Sequence, residues 1–179
     1  MKTIKLILIF CVCVTFNKTT AQTLYSETKT FQENGYVYQW DKAEYGIVTL
    51  YNKANQFTYA QYENKDGSPL GNTDYLPPLA DRDNWTWAKS IDIVNNAFSP
   101  EEKQRVKGEK IDVSMTVDTS TGRVIEVDFA FFYNSAFATI PISTYRKIEE
   151  ELKNQIWFTP TETGKKLKFF KTGWMHTVE

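Results

Sequence analysis

Asp81, Asp83, Trp85 and Trp87 occupy alternate positions in one short stretch, with Tyr75 a few residues before them. On an extended segment, residues two apart point to the same side. Trp85 and Trp87 would then present paired rings, which either stack on a sugar or grip a partner, or pin the segment onto a sheet. Alternating aspartates also suit Ca²⁺, but the glycine and later glutamate of a calcium loop are absent, so no metal site is assigned. An enzyme acting on polysaccharide would use Asp81 or Asp83 as its acid, facing a second carboxylate across a cleft. Glu149, Glu150 and Glu151 are consecutive, point in different directions on a helix and read as a solvated face. The only histidine, His176, lies near the chain end, where a rigid triad is hard to hold. No nucleophile elbow, dinucleotide fingerprint or phosphate loop is present. No catalytic residue and no cofactor is assigned.

The elements that must position these residues follow from periodicity. Leu24 to Tyr62 reads as an antiparallel β-meander of three or four strands. Asn34-Gly35 marks a hairpin, and Phe57, Tyr59 and Gln61 alternate as a strand does. Ser68 to Lys89, with Pro69, Pro77 and Pro78, reads as a long loop that is functional or a linker. Ser90 to Ala97 suits a short helix. Ser99-Pro100-Glu101-Glu102 is a capping box with proline at the first helical position, and Gly108 ends that helix. Lys110 to Phe132 alternates as a half-buried hairpin. Pro141-Ile142-Ser143 leads into a helix to about Gln155, with Tyr145, Ile148, Leu152 and Ile156 at spacings of three and four as one apolar stripe. A last strand from Lys165 to Trp174 includes Lys166 and Lys168. Lysines there either guard an exposed edge against unwanted pairing or draw in an extended acidic peptide.

Composition bounds the setting. Met1 to Ala21 has a basic start, an 11-residue apolar run from Leu6 to Phe16 broken only by Thr15, and the small residues Thr19-Thr20-Ala21. That is the pattern of a secretory signal. The run is about half the ~20 residues that a membrane span needs, so no transmembrane span is expected. Both cysteines, Cys11 and Cys13, lie in this leader. The mature chain from Gln22 is therefore expected to lack thiols, which excludes cysteine-ligated zinc and cysteine nucleophiles. Without Lys2, Lys5 and Lys18 its net charge is about −4, unsuited to a nucleic-acid partner. Aromatic residues make up 15% of the chain, which suits cross-strand pairs in a β-rich fold or a stacking surface.

Ser99-Pro100, Gly108, Ile111 to Val117 in alternation, Gly122-Arg123-Val124, Ile156-Trp157-Phe158-Thr159-Pro160 and Gly164-Lys165 follow one another in an order that resembles the C-terminal domain of the TonB energy-transducing family. The likeness covers about residues 98 to 171. It implies a helix–hairpin–helix–strand module whose last strand serves as a docking edge. The family's membrane anchor and Pro-rich spacer have no counterpart here. The whole chain also resembles small exported proteins of Gram-negative bacteria.

The expected architecture is α+β: a leader (1–21), a β-rich region with its aromatic loop (22–89) and a TonB-like module (90–179). The expected function is an exported, non-enzymatic binding or protein-interaction module of the periplasm or cell surface. Its partner would be an envelope protein or extended peptide. The alternative is a glycan-binding protein or carbohydrate-active enzyme. The residues proposed for binding are Tyr75, Trp85, Trp87, Lys166 and Lys168.

Overall fold

In a computed structural model of the chain, the described residues are 28–179 apart from 69, 71–76 and 82. The leader and Tyr75 lie outside them. Asn34 and Gly35, both at positive φ, turn β1 (Lys29–Glu33) back onto β2 (Tyr36–Lys42). β3 (Ile47–Asn52), β4 (Ile111–Asp118), β5 (Val124–Phe132) and β6 (Phe169–His176) complete one antiparallel sheet in the order β1-β2-β3-β5-β4-β6. β3 pairs with β5, so strands from both sides of residue 89 share the sheet, and most of the buried apolar side chains, from both sides, form one cluster.

Three helices lie on the sequence between the strands: α1 (Asn84–Ala97), α2 (Pro100–Val106) and α3 (Ile142–Gln155). The capping box at α2 forms as its sequence predicts. Ser99 Oγ accepts from the Glu102 N–H, and the Glu102 carboxylate accepts from the Ser99 N–H at 2.8 Å. α3 buries Tyr145, Ile148, Leu152 and Ile156 against the sheet face formed by Trp40, Leu50, Val113 and Phe129. Among the described residues, no helix is long and apolar enough to cross a membrane.

Four local expectations change. Phe57 to Tyr62 is not a strand. β3 already has a neighbour on each side, so no edge is free there, and the segment crosses the sheet face instead. Its rings lie down: Tyr59 meets Tyr51, and Phe57 and Tyr62 meet Phe169. The helix expected from Ser90 begins at Asn84, because Asp83 caps it by accepting from the Thr86 N–H at 2.9 Å. The last strand begins at Phe169, since Gly164 to Lys166 coil into a 3-10 turn. Glu149 is not solvated. It is wholly buried, where it accepts from the Tyr38 hydroxyl and pairs with Arg146 at 2.9 Å and Lys153 at 3.4 Å. A buried carboxylate is tolerable only when satisfied in this way.

Candidate functional site

α1 buries Thr86, Ser90, Ile93, Val94 and Ala97, a stripe with helical spacing. Trp85 and Trp87 flank that stripe, each about 100° from Thr86 around the helix axis. They therefore point apart, not together as an extended segment would have them. Trp85 turns to Trp157, with ring centroids 4.5 Å apart. Trp87 turns to Trp174 on β6, at 5.3 Å and a steep interplanar angle. Four of the five tryptophans thus gather at one end of the molecule.

Between the first turns of α1 and the sheet lies a cleft of about 460 Å³. Its apolar walls are Trp87, Trp174, Phe158, Phe170, Met115 and Leu79, and its polar lining includes Asp81, Asp83, Asn84, Thr86, Ser90 and Thr172. Thr86 is 4% exposed, and its hydroxyl has no hydrogen-bond partner among the described residues. Ser90 spends its hydroxyl on the Thr86 carbonyl at 2.7 Å. An orphaned buried hydroxyl costs stability.

The outer wall of the cleft is irregular chain held by its own backbone. The Asp81 N–H donates to the Thr159 carbonyl, and the Thr161 N–H to the Leu79 carbonyl. The Phe158 N–H donates in turn to the Gly122 carbonyl at 2.8 Å. Gly122 has φ 71°, and a Cβ on it would sit 2.0 Å from the Phe158 oxygen, so only glycine fits.

Asp83 is occupied as a cap and Asp81 is exposed, and no other carboxylate among the described residues lines the cleft. Among the described residues, no group of three or more acids and histidines is arranged to hold a metal. His176 is fixed rather than mobile: it is buried on β6, accepts from Trp174 Nε1 at 3.2 Å and donates to Asn95 Oδ1 at 2.9 Å. Burial holds its pKa below the ordinary value. Both its ring nitrogens are engaged, and the Glu179 carboxylate nearby opposes the effect of burial.

Lys166 and Lys168 lie before β6, beside residues 63–65. Lys168 pairs with Glu63 at 2.8 Å, and the Lys166 carbonyl accepts from the Lys65 N–H. β6 is an edge strand, yet the chain itself covers part of that edge. The Tyr62 hydroxyl accepts from the Lys171 N–H at 3.2 Å and donates to its carbonyl at 3.4 Å. Farther along, Met175 is exposed.

Periodicity did not single out the opposite sheet face as a charged site. There the crossing segment is clamped by Glu126, whose carboxylate accepts from the Gln56 and Phe57 N–H groups. Beside it, Asp128 is 9% exposed and its Oδ2 has no partner among the described residues. Burial pushes its pKa up to about 6. Lys171 opposes that rise, while Asp112 and Glu126 add to it. Asp41, also buried in part, is nonetheless held below the ordinary value by donated hydrogen bonds from Gln39, Tyr51 and Tyr59.

Comparison with known proteins places this architecture. The search of curated proteins returns no match. Among solved structures, a family protein from Bacteroides uniformis ATCC 8492 superposes with a TM-score of 0.79 at 33% identity, covering 87% of this chain and 88% of that one. The matches do not carry the likeness to the TonB domain. The family model for DUF5043, a domain of unknown function, matches residues 21–174. With that model spanning most of its length and the solved relative sharing its fold, the chain belongs to the DUF5043 family.

Proposed function

We propose that the protein is an exported, non-enzymatic binding module of the cell envelope, and that its cleft beside α1 takes a saccharide. The leader pattern of Met1 to Ala21 supports export to the periplasm or cell surface. The observation that carries the ligand reading is the cleft lining itself, where the Trp87 and Trp174 rings stand 5.3 Å apart among the polar side chains of Asn84, Ser90 and Thr172. A pyranose has an apolar face that stacks on an indole and hydroxyls that satisfy a lone polar group. The cleft volume falls within the ~300–1,000 Å³ of small-ligand sites. Among the described residues the lining offers only Asp81 and Asp83, one of them engaged as a helix cap, which favours capture over hydrolysis.

Titration of the purified protein with neutral oligosaccharides, read by tryptophan fluorescence and calorimetry, tests this. Saturable binding that Trp87→Ala and Thr86→Val weaken, with melting temperature retained, supports it. A lower melting temperature with unchanged binding would return Trp87 to a packing role.

A second reading keeps the protein-interaction role. β6 is an edge, and among the described residues its stretch around Gly173 and Met175 is not covered as Lys171 is. An extended peptide from an envelope protein would add there by main-chain hydrogen bonds, the mode that the likeness to the TonB domain implies. A crosslinked pulldown that depends on residues 173–176 favours this reading.

A further inference from the structure

We infer that the uncovered end of β6 selects a basic peptide: a lysine or arginine of the added strand, opposite Gly173, lies in a trough across the sheet face away from the helices and pairs with Asp112. The inference rests on the strand-addition reading above.

Tyr62 fixes which groups of β6 face outward, since its hydroxyl meets both the N–H and the carbonyl of Lys171. In an antiparallel strand, residues bonded to the neighbour alternate with residues whose groups point away. Gly173 and Met175 therefore also turn their N–H and carbonyl groups outward. Among the described residues nothing pairs with them, whereas residues 63–65 occupy the edge beside residues 166–168. An antiparallel strand that bonds at Gly173 and Met175 sets the side chain opposite Gly173 on the same sheet face.

On that face Gly173 lies opposite Ser114, and Met175 opposite Asp112. Glycine and serine leave a gap between the taller Lys171 and Met175, a shallow trough of about 440 Å³ that Asp112 also lines. The gap is built in, because a Cβ on Gly173 would stand 2.5 Å from the Val113 oxygen. An added strand lies two strand spacings from β4, about 10 Å. The long stem of a lysine or arginine spans that distance along the exposed Met175 side chain, and a short side chain does not.

Charge decides between a basic and an acidic residue. Asp112 and Lys171 both line the trough. The Lys171 ammonium already donates to the Thr58 carbonyl at 2.5 Å and is attracted to Asp128. Asp112 has no such compensation. Burial holds its pKa above the ordinary value, neither Lys110 on its own strand nor Lys171 draws it back, and the group it acts on is another acid, Asp128. A cation brought to Asp112 offsets that cost, and a guanidinium does so with two parallel hydrogen bonds.

The test titrates the isotopically labelled protein with three seven-residue peptides of alternating threonine and valine, whose central residue is arginine, glutamine or glutamate. Amide NMR and calorimetry read the binding. All three should shift the Gly173 and Met175 amides. The arginine peptide should bind about five-fold or more tightly than the glutamine peptide, and that preference should shrink in 0.5 M salt. Asp112→Asn should abolish the preference and leave the glutamine peptide unchanged. Ser114→Leu, which fills the trough without changing charge, should abolish it too. Equal binding of the arginine and glutamine peptides, tightest binding of the glutamate peptide, or a preference that survives Asp112→Asn overturns the trough while strand addition stands. No shift at Gly173 or Met175 with any of the peptides overturns both.

Discussion

Replacing Asp128 with asparagine should make this protein more stable at neutral pH, although the change is made in a buried central strand. The carboxylate sits under the crossing segment with Oδ2 unpartnered and its pKa raised from 3.8 to about 6. A folded state that holds its proton more tightly than the unfolded chain loses stability as pH rises between those two values. Above them the loss is complete, at roughly 3 kcal/mol, from about 1.4 kcal/mol for each pKa unit. Asparagine keeps the shape and removes the charge. Its amide needs an acceptor, and the unpartnered hydroxyl of buried Thr116, which sits diagonally across on β4, offers one. The lost attraction to Lys171 offsets part of the gain. We expect Asp128→Asn to add about 1–3 kcal/mol at pH 7.5, a rise of about 2–12 °C in melting temperature for a domain of this size. The gain should fade below pH 4, where the wild-type carboxyl is protonated in both states. Urea denaturation of both proteins from pH 4 to pH 8 measures it. An offset that is constant with pH, or a loss at pH 7.5, would show that the carboxylate is satisfied in the folded state and the burial argument unsound.

Other perturbations follow from the same contacts. Tyr38→Phe removes the hydroxyl donated to wholly buried Glu149 and should cost about 1.5–3 kcal/mol by denaturant titration, because a charged acceptor loses its donor. Glu126→Ala frees the Gln56 and Phe57 amides, so hydrogen exchange should quicken there while β4 and β5 stay protected. Gly122→Ala forces a Cβ into the Phe158 carbonyl at positive φ, which should cost at least about 2 kcal/mol and weaken saccharide binding as the cleft wall shifts. Unimpaired binding there would mean that the wall plays no part in the site.

What could be read from the sequence was local. Ser99-Pro100-Glu102 fixed the start of α2, because every atom of a capping box lies within four residues. The alternation of Ile111 to Val117 with Val124 to Ala130 disclosed a hairpin for the same reason. Asp83 as a cap was equally local, yet the prolines before it and the paired tryptophans after it read as loop. The fate of Phe57 to Tyr62 was not legible, since its pattern suits a strand and only the occupied edges of β3 deny it one. In the candidate site, Trp85 and Trp87 stood out by composition. Their partners Trp157 and Trp174 lie some 70 to 90 residues away, and no spacing rule connects them. Asp128 could be placed on a face of its strand by alternation, but that the face is roofed over is a long-range fact.

The cleft wall has a consequence for how such a site diverges among relatives. Residues 79–81, 158–161 and 122 are joined mainly by amide-to-carbonyl bonds, with the Thr161 hydroxyl adding one bond to the Pro78 carbonyl and glycine needed where two backbones touch. Side chains along that rim other than Thr161 are thereby released from holding it together. Rim residues can be exchanged freely and the opening keeps its outline, so descendants of one ancestor can come to prefer different ligands without rebuilding the scaffold.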